Sequence, residues 1–146
     1  MTTEAERGRK ILLSYRKLSR LEQIKTDRLR AIMESATRVT PSLSGDRVTG
    51  GGTGSRTEEL IVRHVDLERQ LDEAIVDLRA LCARIQAAVD AVPDYDQRAL
   101  LELRYLKGAS WLSIRDCLAI SEATSFRIQR MALAAFVREF DKLDSA

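Results

Sequence analysis

The chain has little of what a β-protein is made from. Aromatic residues are 5% of its 146 positions, and Val, Ile and Thr nowhere alternate with polar residues over a strand length. A sheet-rich fold is therefore excluded as an expectation. Apolar runs long enough to span a membrane, roughly 18 residues, are missing, and the first ten residues, MTTEAERGRK, hold no hydrophobic signal core. The chain reads on these grounds as cytoplasmic, with no membrane partner. Two cysteines, Cys82 and Cys117, are too few for a disulfide framework or a four-ligand metal site. One histidine and no clustered carboxylates leave nothing from which to build a catalytic triad or a metal centre. The expectation is a non-enzyme without cofactor, metal or catalytic residues.

What is present is helix-forming sequence with charge sorted along it. Hydrophobic residues are 45% and charged residues 32%, the balance of a folded, water-facing protein. Residues 1–56 carry 12 basic and 6 acidic side chains, residues 57–93 carry 4 and 8, and residues 94–146 carry 8 of each. A basic segment followed by an acidic one can pair internally, or the basic one can face a polyanion.

Residues 4–37 place Ile11, Tyr15, Leu18, Leu21, Ile24 and Ile32 at helical spacing, which predicts a long amphipathic helix. Its polar face is crowded with arginine and lysine. The plainer reading of that face is solvation and pairing with an acidic neighbour; phosphate contact is the sharper one. Residues 40–56, TPSLSGDRVTGGGTGSR, contain Pro41 and five glycines and are expected to form a flexible linker. No Lys-Ser/Thr pair follows the glycines, so a phosphate-cradling loop is not indicated.

Residues 57–92 repeat every seven. His64, Leu71, Leu78, Ile85 and Val92 form one series, and Leu60, Leu67, Ala74, Leu81 and Ala88 the other. These fill the a and d positions of a coiled-coil seam. Thr57 with Glu58 and Glu59 looks like its start. Ile61, Ile75, Cys82 and Val89 widen the stripe. His64 reads as a spacer near a helix end and Cys82 as a small buried hydrophobe. The two long helices are expected to fold back as an antiparallel hairpin.

Pro93 ends the second helix, and shorter helices with tight stops follow. Asp94 is placed to cap a helix over residues 94–106, stopped by Gly108. Ser110 is placed to cap a second, ending at a turn through Ala119 and Ile120. Ser121 is placed to cap a third that runs to about Leu143. In WLSIRDCLAISEATSFRIQRMAL the last two make a helix-turn-helix. Ile114, Leu118 and Ile120 face its core, with Thr124, Ile128, Met131 and Ala132 on the inner side of the last helix. At about 100° per residue, Ala123, Phe126 and Arg130 lie roughly opposite Ile128. The expected DNA-binding set is Ser121, Glu122, Ala123, Ser125, Phe126, Arg127, Gln129 and Arg130. Arginine reads guanine edges or phosphate, glutamine reads adenine, and serine hydroxyls meet phosphate. Phe126, Leu133, Phe136, Val137 and Phe140 form a second apolar stripe, expected to pack on the hairpin or on a second subunit. Trp111 is expected to anchor the core.

The sequence LLELRYLKGASWLSIRDCLAISEATSFRIQRMALAAF resembles the C-terminal half of the ArpU/RinA-type phage regulators of late transcription, which is similar to the fourth, promoter-contacting region of sigma factors. The likeness lies in the Leu and Arg-Tyr between Leu100 and Tyr105, in Trp111 with Ile114, and in Leu118-x-Ile120-Ser121. It continues through Thr124, Phe126-Arg127 and Ala132-Leu133. Arg115, Ala119 and Glu122 depart from the usual sigma-type residues. The resemblance implies a sequence-specific DNA-binding regulator of phage or prophage late genes in a bacterial host. Double-stranded DNA is its expected partner, with host RNA polymerase and a second copy of the chain as further candidates.

The organisation expected is all-α: a long antiparallel helical hairpin over residues 1–92 with its linker at 40–56, then a small three-helix helix-turn-helix domain over residues 93–146. Two other readings use the same helices: a helical interaction or assembly protein, and a small-terminase-like DNA-packaging subunit, which would assemble as a ring.

Overall fold

A computed structural model describes the backbone of residues 2–45 and 53–145, and the side chains of residues 2–35 and 57–145. Among the described residues the fold is all-helical: α1 (Thr3–Gly45), α2 (Thr53–Asp90), α3 (Tyr95–Leu101), a π-helical segment (Glu102–Leu106), α4 (Trp111–Leu118) and α5 (Glu122–Ser145). Both long helices reach into the segment expected to be a linker, since α1 runs past Pro41 to Gly45 and α2 begins at Thr53 rather than Thr57. The rest of that expected linker, residues 46–52, lies outside the described residues.

The chain divides into two compact units. One contains residues 1–19 and 80–146, the other residues 20–79. The boundary expected at residues 92/93 therefore falls inside the first unit, where the two ends of the chain share one core.

In the unit of residues 20–79, α1 and α2 run antiparallel. Arg79 Nε donates to Glu22 Oε1 at 2.6 Å, and His64 Nε2 lies 3.4 Å from the Ile32 carbonyl oxygen. Numbers rise on one helix as they fall on the other. Leu71 and Ile75 are buried, and Leu67, Ala74 and Leu78 are half-buried. The α1 side of this pairing is more polar than expected: Glu22, Lys25, Thr26, Leu29 and Ile32 face inward, while Leu21 and Ile24 are exposed. At about 100° per residue, Leu21 and Ile24 lie roughly 100° and 160° round the helix from Glu22, off the line that faces α2. Leu60, expected in the seam, is also exposed.

The unit of residues 1–19 and 80–146 holds the main core. Ala5, Leu12 and Tyr15 of α1 meet Ile85, Ala88, Val89 and Val92 at the end of α2, and Leu133, Phe136, Val137 and Phe140 of α5. Cys82 packs at its edge. The second apolar stripe of α5 is thus covered within one chain from Leu133 to Phe140, and does not call for a second subunit. Burying side chains of this size stabilises by roughly 1.5–3 kcal/mol each, so this stripe fastens α5 to the hairpin.

The α1–α5 crossing is close enough to demand glycine. A Cβ on Gly8 would stand 2.7 Å from the Leu133 carbonyl oxygen and 2.8 Å from Val137 Cγ2. Ion pairs flank the crossing. Arg7 donates to both carboxylate oxygens of Asp141 at 2.9 and 2.7 Å, and Arg138 lies 3.4 Å from Glu4. The hydrogen bond and charge of Arg7 hold the Asp141 carboxyl below its ordinary value of 3.8. A depressed carboxyl contributes stability above its unfolded pKa and loses it as pH falls through the folded one, here below about pH 4. The pair is surface-exposed and screened, so its share of stability is small.

A substitution at Gly8 tests the crossing. Alanine raises helix propensity by about 1 kcal/mol in an open helix, but overpacking against a backbone carbonyl costs about 1–3 kcal/mol. Gly8→Ala is expected to lower the urea unfolding midpoint, with a net loss of stability of up to about 2 kcal/mol. A stabilised variant would mean that the helices are not in contact there.

Candidate nucleic-acid interface

The C-terminal helices are positioned by caps that the sequence names. The Asp94 carboxylate accepts from the Gln97 amide at 2.9 Å, Ser110 Oγ from the Ser113 amide at 3.2 Å, and Ser121 Oγ from the Thr124 amide at 3.2 Å. Gly108 has φ +74°, as a helix stop requires. The turn between α4 and α5 is made by Ala119 in the left-handed region, φ 56° and ψ 49°, so that the Ile120 amide reaches the Arg115 carbonyl at 3.1 Å. Leu100, Ile114 and Ile128 form a small second core under this turn, with Leu103, Ala109, Trp111, Leu118 and Ile120 packed round it. Trp111 is the anchor expected of it. Met131, expected to face inward, is instead 48% exposed.

The helix containing Tyr105 departs from the regular α-helix expected over residues 94–106. Its last turn is π-helical, and the Lys107 amide bonds to the Glu102 carbonyl five residues back at 3.0 Å. The wide turn carries Tyr105 inward, where its hydroxyl accepts from Gln129 Nε2 at 3.0 Å. Arg104, on the same turn, donates to the Ala109 carbonyl at 3.1 Å and lies 4.9 Å from the Trp111 ring centre. Trp111 in turn meets Phe126 at 6.2 Å between ring centres.

Two members of the expected DNA-binding set leave the surface. Gln129 is buried, its amide spent on Tyr105. Ser125 is fully buried, and its hydroxyl donates to the Glu122 carbonyl at 2.6 Å. Neither stands on the exposed side of α5 where the expected set places it. The cause is geometric: α5 is covered on two adjacent sides, by the small core at Ile128 and by the hairpin at Leu133 and Val137, and these two positions lie in or between the covered sides.

The remaining members stay together on one open side: Ser121, Glu122, Ala123, Phe126, Arg127 and Arg130 are all exposed. Arg127 and Arg130 make no ion pair among the described residues and share a shallow groove of about 530 Å³ with Thr2, Met131 and Ala134. A second groove of about 260 Å³ lies where Arg9 and Leu13 of α1 approach Arg104, Tyr105, Trp111, Phe126 and Gln129. The contribution of Arg9 and Leu13 is not legible in the sequence, since no local pattern marks a contact between residues about ninety or more positions apart. Among the described residues no three His, Cys, Asp or Glu side chains gather as a metal ion would need, and no described helix is long and apolar enough to cross a membrane.

The fold and this side of it define an all-helical protein in which α4 and α5, joined by a tight turn, form a helix-turn-helix. Residues 38–136 match the family described as Protein of unknown function (DUF1492), and the chain belongs to that family. No curated protein and no solved structure matches the chain significantly.

Two substitutions probe the local geometry. A left-handed alanine costs roughly 1–2 kcal/mol that glycine does not, so Ala119→Gly is expected to raise stability by about 1 kcal/mol in urea melts. Gln129→Ala removes a buried hydrogen bond and leaves the Tyr105 hydroxyl unpartnered. It is expected to cost about 1–3 kcal/mol in urea melts. A Gln129→Ala protein with normal stability would return Gln129 to the surface.

Proposed function

We propose that this chain binds duplex DNA through the first turns of α5, as a sequence-specific transcription regulator of the phage late-gene kind acting in the bacterial cytoplasm. The observation that carries the reading is the pair Arg127 and Arg130. They stand exposed and unpaired among the described residues, beside a capped helix start and a tight left-handed turn. A recognition helix presents its N-terminal residues to base edges while the preceding helix crosses the backbone. The resemblance of residues 100–136 to ArpU/RinA-type regulators and to the fourth region of sigma factors supports the same assignment. It also makes RNA polymerase the natural protein partner on the promoter. The reading is of a binding protein and includes no catalytic step.

Roles divide by position on the helix. Arg130 lies farther round from Ile128 and is assigned to a base edge; Arg127 lies on the flank and is assigned to phosphate. Ser121 keeps its hydroxyl on Thr124, both through the amide and through Thr124 Oγ1 at 2.9 Å. It therefore contributes by fixing the helix start. Phe126 is 46% exposed, and its ring edge is available for apolar contact with a thymine methyl.

The test begins with a random duplex pool from which the wild-type protein selects its sites. On the selected duplex, Arg130→Ala is expected to lose about 1–3 kcal/mol and to relax preference at one base pair. Arg127→Ala is expected to weaken binding to all duplexes alike and to reduce the slope of log K against log salt by about one. Failure to enrich any sequence, or unchanged binding in both variants with melting intact, would overturn the reading.

A further inference from the structure

On α2, away from its contact with α1, Val62, Val65 and Val76 are 66%, 60% and 56% exposed. With Arg69 and Asp72 they fall at spacings of three and four, within about 80° of one another on the helix. This is a second seven-residue seam, narrower than the one that closes the hairpin and lying on its outer flank. Valine at an exposed helical position is a poor choice for the helix itself, because its branched side chain is restricted there. Three on one line therefore point to something that covers them.

The order of residues along the line identifies the cover. Read Val62, Val65, Arg69, Asp72, Val76, Arg79, it is complementary to its own reverse about a centre between Arg69 and Asp72. Laid antiparallel on a second copy, Val65 meets Val76, Arg69 meets Asp72 twice by symmetry, and Val62 meets the aliphatic stem of Arg79. A parallel, in-register pairing would instead set Arg69 against Arg69 and Asp72 against Asp72, which is repulsive. We infer that α2 pairs with α2 of a second copy in this antiparallel register, making the protein a symmetric dimer through residues 62–79.

Charges round the seam fit the arrangement. Arg69 bonds Asp66 at 3.0 Å and Glu73 at 3.1 Å; both contacts are exposed, and a partner's Asp72 competes with them for the same guanidinium. Asp72 has no partner among the described residues. Arg79 is held by Glu22, which fixes its stem beside the line. The seam spans about 25 Å of helix, short for a permanent interface, so the dimer is a reversible one of micromolar strength. It involves none of the residues assigned to DNA and stands independently of that assignment.

Sedimentation of the full chain at about 50 µM tests the inference, with circular dichroism as the control for folding. The wild type is expected to sediment as a dimer, and Val65→Glu with Val76→Glu to sediment as a monomer with unchanged helicity. Asp72→Arg is expected to raise the dissociation constant at least tenfold, and Arg69→Asp combined with Asp72→Arg to restore it. A monomeric wild type, or a dimer indifferent to the two glutamates, would overturn the proposal. A dimer weakened by the glutamates but indifferent to the charge exchange would overturn the antiparallel register. A higher oligomer would do the same, since this seam closes on two copies.

Discussion

Everything in the unit of residues 1–19 and 80–146 depends on two helices coming as close as a glycine allows. At Gly8 the backbone of α1 approaches the Leu133 carbonyl of α5 so nearly that a methyl group has no room. That approach brings Leu12 and Tyr15 onto Phe136 and Val137, and the closing end of α2 completes the enclosure through Ile85, Val89 and Val92. Residues far apart in sequence thereby share one core. The last helix of the helix-turn-helix is consequently part of this unit's core, packed with the start of α1 and the end of α2.

That arrangement also decides which side of α5 can act. A helix packed on one face leaves most of its circumference free. Here two faces are taken, and the free side of its first turns is left to Glu122, Ala123, Phe126, Arg127, Arg130 and Met131. The Gln129–Tyr105 hydrogen bond sits in the angle between the two packed faces. A buried polar pair of this kind is costly to leave unmade, so it holds the rotation of α5 against the helix carrying Tyr105. The π-helical turn at Glu102–Leu106 serves the same contact by widening the helix where Tyr105 must reach inward.

Local chemistry was legible in the sequence, and long-range coverage was not. Asp94, Ser110 and Ser121 cap where a short polar side chain precedes an apolar run, because a cap needs only its own neighbours. The turn at Ala119 follows from the spacing of Leu118 and Ile120. The all-helical fold and the antiparallel hairpin follow from periodicity. Gln129 and Ser125 depart from expectation because the expected set rests on one buried stripe, through Ile128, and on side-chain chemistry alone. The signal that corrects this was present. Leu133, Phe136, Val137 and Phe140 mark a second buried side, and position 129 lies about 100° from Ile128, between the two. Likewise Leu21 and Ile24 fit a helical stripe but not the seam, since the seam's partner helix sets which apolar residues are covered. The valine line on α2 is masked in the sequence by a stronger seven-residue pattern along the same helix.

Charge shows the same separation between what composition suggests and what geometry permits. A basic first segment and an acidic second one invite the idea that they neutralise each other. The observed bridge between α1 and α2 has the opposite sense, with Arg79 of the acidic segment holding Glu22 of the basic one. Arg7 takes its partner from α5, not from α2. Arg9, Lys10, Arg16 and Lys17 are exposed and make no ion pair among the described residues. Within the unit that contains α5, these four cations and Arg127 and Arg130 are left uncompensated by local bridges. Solvated cations of this kind cost the fold little and gain by releasing counterions from a polyanion. The charge that looked like material for internal pairing is thus better accounted for as a field facing outward, on the same unit as the open side of α5.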